Sequence, residues 1–157
     1  MASTTLMFDA VTPSRIPNPK LVRAVLIYID GRYAWTGADL ALFPDAAKVR
    51  IACLPSTDDG RVLDVETGDA TPEQAPQWVA NRRKSTQHPL AGPATIYTSL
   101  SNWQTVREAF VNEKIAEPEW LIAHYDNVAC IPAGAIGKQY ESTPGYDVSI
   151  VETSWLA

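Results

Sequence analysis

Val62-Leu63-Asp64-Val65-Glu66-Thr67-Gly68-Asp69 is the stretch on which the reading of the whole chain turns. Apolar and acidic residues alternate at its start with the period of a strand, so Asp64 and Glu66 point to the same side with their backbones ~7 Å apart. If the strand belongs to a barrel, that side is the interior, where a carboxylate is costly unless it sits at the rim and is hydrogen-bonded or needed for chemistry. The C-terminal rim of a parallel barrel is where such groups gather. The plainer alternative is a polar strand end leading into the loop that caps the next helix.

Working outward, short apolar runs followed by turn residues mark further strands at Leu6 to Val11, Val22 to Ile29, Val49 to Leu54, Ala94 to Thr98, Trp120 to His124, Val128 to Ile131 and Asp147 to Val151. Helices fall between several of them. In Thr71-Pro72-Glu73-Gln74, Thr71 suits the N-cap, Pro72 the first helical position, and Gln74 can reach back. Ser101-Asn102-Trp103-Gln104 repeats the capping logic ahead of a stripe at Trp103, Val106 and Phe110. A third helix is expected from Thr36 to about Ala47, short or interrupted near Phe43 because Pro44 falls inside it. Strands alternating with helices predict a parallel sheet covered by helices, and after Trp120 no helical period is left. The fold expected over residues 1–157, as one domain, is therefore an α/β TIM-like barrel with five βα units followed by three strands without helices. A flavodoxin-like open sheet is the second choice.

Two more acids flank the quoted stretch in a closed barrel. Asp9 ends the first strand and Asp147 begins the last, and first and last strands are neighbours once the sheet closes. Crowded acids raise one another's pKa, which lets one carboxyl stay protonated while another is ionised. Asp30 stands at the corresponding end of the second strand, as a fifth member or as the start of an Asp-Gly turn; Asp58-Asp59-Gly60 reads as a turn. Arg32 is close enough in sequence to pair with one of the acids, and Tyr33 to reach the mouth.

The formal charge of −5 leaves no excess of Lys and Arg to neutralise phosphates, which argues against a nucleic-acid partner. The cluster Arg82, Arg83, Lys84 is expected on a solvated face at a helix end, where cations complement the dipole. No apolar run approaches the ~18 residues of a membrane span, and the N-terminus has neither a basic leader nor a long hydrophobic core, so neither membrane insertion nor a signal peptide is expected. Cys53 and Cys130 are each read as buried thiols, and His88 and His124 are too few and too scattered for zinc, so no metal and no other cofactor is expected. Trp78 and Trp103, on helix faces, are expected in the core, while Trp35 and Trp155 are undecided.

These residues resemble the family 25 glycoside hydrolases, the barrel lysozymes of bacteria and phages, and related glycoside-hydrolase-like proteins of actinobacteria and their phages. Asp64-Val65-Glu66 is similar to the family's Asp-x-Glu, Ile96-Tyr97-Thr98-Ser99 to its fifth-strand motif, and Trp120 through Tyr125 to its sixth. Lys138-Gln139-Tyr140 followed by Tyr146-Asp147 resembles its Trp-Gln-Tyr and closing Asp, and Phe8-Asp9 its opening Asp. The chain departs from the pattern where Val49 to Leu54 replaces a Gly-Tyr-His stretch and Lys138 replaces a groove tryptophan, and it is short for the family.

The resemblance implies that Glu66 is the general acid, with Asp64, Asp9 and Asp147 around the reacting sugar and Tyr97, Trp120, Tyr125 and Gln139 as groove residues; Asp30, from its place at a strand end, is a further substrate-binding candidate. It implies peptidoglycan as substrate, cut after N-acetylmuramic acid with the acetamido group assisting, and a setting in the host cytoplasm until lysis or in a virion, with action at the cell wall. The alternatives are a non-catalytic carbohydrate-binding or virion structural protein, in contact with other virion proteins, and a different glycan hydrolase on the same scaffold. Fold alone does not separate them.

Overall fold

The computed structural model describes residues 1–57, 59–84 and 92–157; Asp58 and His88, each named above, lie outside the described residues. Eight strands close into a barrel in chain order: β1 Thr4–Asp9, β2 Ala24–Tyr28, β3 Ala47–Ala52, β4 Val62–Asp64, β5 Thr95–Ser99, β6 Glu119–Ala123, β7 Gly137–Ser142 and β8 Asp147–Glu152. Strands β1 to β7 run parallel, and β8 is antiparallel to both β7 and β1, which it joins.

The expected TIM-like barrel with five βα units is not what forms. The described residues make only three α-helices, α1 Gly37–Ala41, α2 Ala75–Lys84 and α3 Leu100–Glu113, so the fold is a closed, mixed, mostly stranded barrel. Chain chemistry explains the missing helices. Between β1 and β2, Pro13 and Pro19 each open a single 3-10 turn, and neither turn is extended. Between β3 and β4 the chain has Pro55 and Gly60 and too few residues for a helical crossover. Pro44 keeps α1 to five residues, although Thr36 and Asp39 build a full capping box at its start. Helix α3 starts two residues earlier than expected, with Ser99 rather than Ser101 accepting from the Asn102 N–H at 3.2 Å. Gln74 does reach back, accepting from the Thr71 N–H at 2.9 Å, but α2 begins only after that turn.

Alternation along the strands divides the core. Met7, Leu26, Val49, Ile51, Val62, Leu121 and Val151 fill the lumen. Their neighbours point outward: Leu63, Val65, Ile96 and Trp120 pack under α2 and α3 through Trp78, Val79, Val106 and Phe110, and Val25 and Ile27 pack under Ile16 and Phe43. Burying side chains of this size is worth roughly 1.5–3 kcal/mol each. Gly137 leaves the room β7 needs, since a Cβ there would stand 2.7 Å from Val151 Cγ1 and 2.8 Å from Leu121 Cδ1.

Three further expectations are corrected. Val128 to Ile131 is not a strand; it is an irregular segment, exposed up to Cys130 with Ile131 partly buried, and the seventh strand comes later, at Gly137–Ser142. Cys130 is exposed and Cys53 half-buried, both as free thiols. Arg82 is buried, its Nε donating to the Gly60 carbonyl at 2.7 Å, so the basic triplet is not wholly solvated. Trp155, undecided from sequence, closes the N-terminal end of the lumen from the 3-10 turn Thr153–Leu156. Its Nε1 donates to Thr95 Oγ1 at 3.2 Å, its carbonyl accepts from the Arg61 guanidinium, and that guanidinium lies 4.5 Å from its ring centroid.

Candidate functional site

The opposite, C-terminal end of the lumen holds the acids. Asp9 is the last residue of β1 and pairs in register with Asp147, the first of β8, so the two side chains leave directly opposite positions on one face of the sheet. Asp64 ends β4, and the turn that follows places Glu66 at the rim: the Asp69 N–H donates to the Glu66 carbonyl at 3.1 Å and the Ala70 N–H to the Asp64 carbonyl at 3.1 Å. Gly68, at φ 96°, supplies the left-handed residue in this turn. Asp9 and Asp64 are almost fully enclosed, each 3% exposed, whereas Glu66 and Asp147 are half-buried.

Burial and like charge act on these groups in the same direction. Burial pushes the Asp64 carboxyl up to about 8, with Glu66, Asp69, Asp9 and Asp30 adding repulsion. Asp9 is held well above the carboxylate range by burial and by Asp147, only partly offset by the hydrogen bond from Gln139. Glu66 is raised by burial, then by Asp69 and Asp147, and Asp147 is raised by burial against a lowering hydrogen bond from Ser142. Ion pairs among the described residues join Arg50 to Asp59, Arg107 to Glu117, and Asp126 to both His124 and Lys138; none of these reaches the four acids. Arg32 stacks on Tyr33 instead, 5.5 Å from its ring centroid. A mouth with so much negative charge keeps protons at neutral pH.

A polar relay orders the far wall. Gln139 Nε2 donates to Asp9 Oδ2 at 2.6 Å, and its Oε1 accepts from the hydroxyls of both Tyr97, at 2.7 Å, and Tyr125. The two tyrosine donors fix which way the amide faces, so Asp9 always meets the nitrogen. Burial raises both tyrosines, Tyr125 to about 12, so they remain donors.

The other sequence-derived residues have different places. Asp30 is drawn into the backbone: its carboxylate accepts from the N–H groups of Cys53, at 2.6 Å, and Leu54, at 3.2 Å, pinning the loop after β3. Trp120, expected in the groove, lies outside the barrel, 2% exposed, against Trp103 and Phe110 with its Nε1 on Glu117. Lys138 also faces outward; its Nζ donates to Asp126 Oδ1 at 2.6 Å and to the Val128 carbonyl at 3.0 Å, holding the loop between β6 and β7.

Beside the acid cluster opens a cleft of about 730 Å³, lined by Glu66, Gly68, Asp69 and Thr71 on one side and Ser99, Ser101 and Asn102 on the other. Ser99, Ser101, Asn102 and Asp69 were not singled out from sequence as site residues, because a helix cap and a turn account for them locally. Tyr28 was missed too. It continues the inward series Ala24, Leu26 and faces Asp9 and Asp64, whose charges add to the burial that raises its hydroxyl. Period-two alternation along β2 is enough to find it. No protein-family model, no curated protein and no solved structure matches this chain.

Proposed function

We propose that this chain is a glycosidase of the muramidase kind, cutting peptidoglycan or a related glycan, with Glu66 as its general acid. The observation that carries the proposal is the position of Glu66: half-buried, raised by neighbouring carboxylates, and opening directly onto a cleft large enough for sugar rings. A carboxyl whose proton is held more tightly than usual by burial and by neighbouring charge can deliver that proton to the glycosidic oxygen. The C–O bond then breaks, the aglycone leaves as an alcohol, and positive charge builds at the anomeric carbon. The carboxylates whose charges act on Glu66, Asp69 and Asp147, supply negative potential there. Water adds to the anomeric carbon and its proton returns to Glu66.

In this reading Asp64 and Asp9 act from behind. Asp64, itself raised by burial and by Glu66, stays protonated and adds no charge against it, and Gln139 holds Asp9 in one orientation toward Asp147. The setting we propose is a phage lysin or a virion-associated wall hydrolase, in keeping with the resemblance drawn from the sequence. The test is release of reducing sugar from actinobacterial and other cell walls by the wild type and by Glu66→Gln, from about pH 4 to about pH 8. Glutamine keeps the shape and cannot donate the proton. A loss of ~100-fold or more supports the proposal. A folded wild type that cuts no wall points to the alternative, a carbohydrate-binding or virion structural protein.

A further inference from the structure

The loop after β3 and the turn after β4 bring a thiol and two carboxylates together at the edge of the acid mouth. Cys53 Sγ and one carboxylate oxygen each from Asp64 and Asp69 lie within 4.8 Å of one another. One oxygen of the same Asp64 carboxylate, Oδ1, is buried without a hydrogen-bond partner among the described residues, on a side chain only 3% exposed. A buried carboxylate oxygen with no donor is costly, and a bound cation is one of the few partners that satisfies it.

We infer that Cys53, Asp64 and Asp69 form a binding site for one divalent cation of the zinc class. The donor set selects the class: a thiolate favours zinc and its borderline-soft relatives over magnesium and calcium, which take oxygen alone. Three protein ligands leave a fourth, tetrahedral position for water, and Asp69 lines the cleft, so that position faces the open side. Bonds of ~2.0–2.3 Å place tetrahedral ligand atoms ~3.5 Å apart, so the set closes by ~1 Å on binding. Exposed Asp69 has the freedom to make that movement. Asp30 already fixes the thiol side by holding the Cys53 and Leu54 amides. Binding replaces the Cys53 thiol proton, which is released to solvent, and a 2+ charge then offsets the thiolate and carboxylates around it. This inference shares Asp64 and Asp69 with the glycosidase proposal but needs neither Glu66 nor a sugar, so the metal titration fails or succeeds independently of the wall-cutting assay.

The experiment titrates the full-length protein with cobalt(II) and follows the thiolate-to-cobalt charge-transfer band, then displaces the cobalt with zinc. One equivalent is expected to produce the band. Cys130→Ser keeps it, Cys53→Ser loses it, and Asp69→Asn, a surface change that leaves the fold intact by circular dichroism, weakens binding at least ~10-fold. Zinc displaces the cobalt, and calcium in excess does not. The inference is overturned by the absence of saturable binding, by a band that survives Cys53→Ser, by an unchanged affinity in Asp69→Asn, or by calcium competing as well as zinc.

Discussion

The two ends of the barrel lumen solve the same packing problem in opposite ways. At the N-terminal end Trp155 fills the opening, and a buried cation, Arg61, lies between its ring and carbonyl with Glu119 close enough to act on its charge. Opposite charges and an aromatic plug make that end a closed, structural floor. At the C-terminal end Asp9, Asp64, Glu66 and Asp147 meet, and the largest charges acting on them are other carboxylates. That end is electrostatically expensive, and a cleft opens beside it. Within one set of strands, stability is concentrated below and chemical potential above, the division expected when a site is supported by a scaffold that carries its cost.

Breaking the floor should have the largest effect. Trp155→Ala removes the plug, the indole N–H that reaches Thr95 and the ring under the Arg61 guanidinium, and should destabilise the chain by roughly 3–5 kcal/mol in urea unfolding. A loss below ~1 kcal/mol would mean the lumen closes without it.

Relieving the mouth should have the reverse sign. The Asp64 carboxyl titrates near 8 folded and near 4 unfolded, so the folded chain binds that proton more tightly. Its contribution to stability is full below about pH 4 and is lost as pH rises to about 8. Asp64→Asn, measured with chelator present, should therefore gain about 2–5 kcal/mol over the wild type near pH 8, and much less near pH 5. Equal differences at the two pH values would remove the electrostatic explanation.

Between these two ends, Gly137→Ala should cost roughly 1–3 kcal/mol, because the added methyl meets Val151 and Leu121 in the wall itself. The smallest effect belongs to Arg32→Ala, which should change stability by less than ~0.5 kcal/mol, since Arg32 is exposed and stacks only on Tyr33. A larger loss would show that Arg32 neutralises the mouth after all.

How far the sequence could be read follows from which signals are local. Period-two alternation is enough to set Asp64 inward and to place strands near β1 to β6 and β8, because burial on one face dictates the pattern, and barrel closure brings Asp9 to Asp147. Alternation fails at β7, where Gly137 and Lys138 carry no apolar signal and the nearby run from Val128 to Ile131 carries one although most of it is exposed. There Lys138 is buried by pinning a loop, a tertiary role that composition does not announce. The helix count differs because the prolines between β1 and β2, which read as punctuation in the sequence, open 3-10 turns that do not extend into a helix. Trp120 was misplaced by resemblance, although its outward position follows from its being adjacent to inward-facing Leu121. Asp30 offered a carboxylate to the site by sequence, but its hydrogen bonds to Cys53 and Leu54 make it a positioning residue.

The central claim is that the C-terminal mouth holds carboxyls protonated at neutral pH, and a carbon-detected NMR titration of the Asp and Glu carboxyls tests it most directly. Asp64 should titrate near pH 8, with Asp9, Glu66 and Asp147 each above its ordinary range, and Asp147→Asn should lower both Asp9 and Glu66. Titration of all four near pH 4, unmoved by Asp147→Asn, would contradict the account.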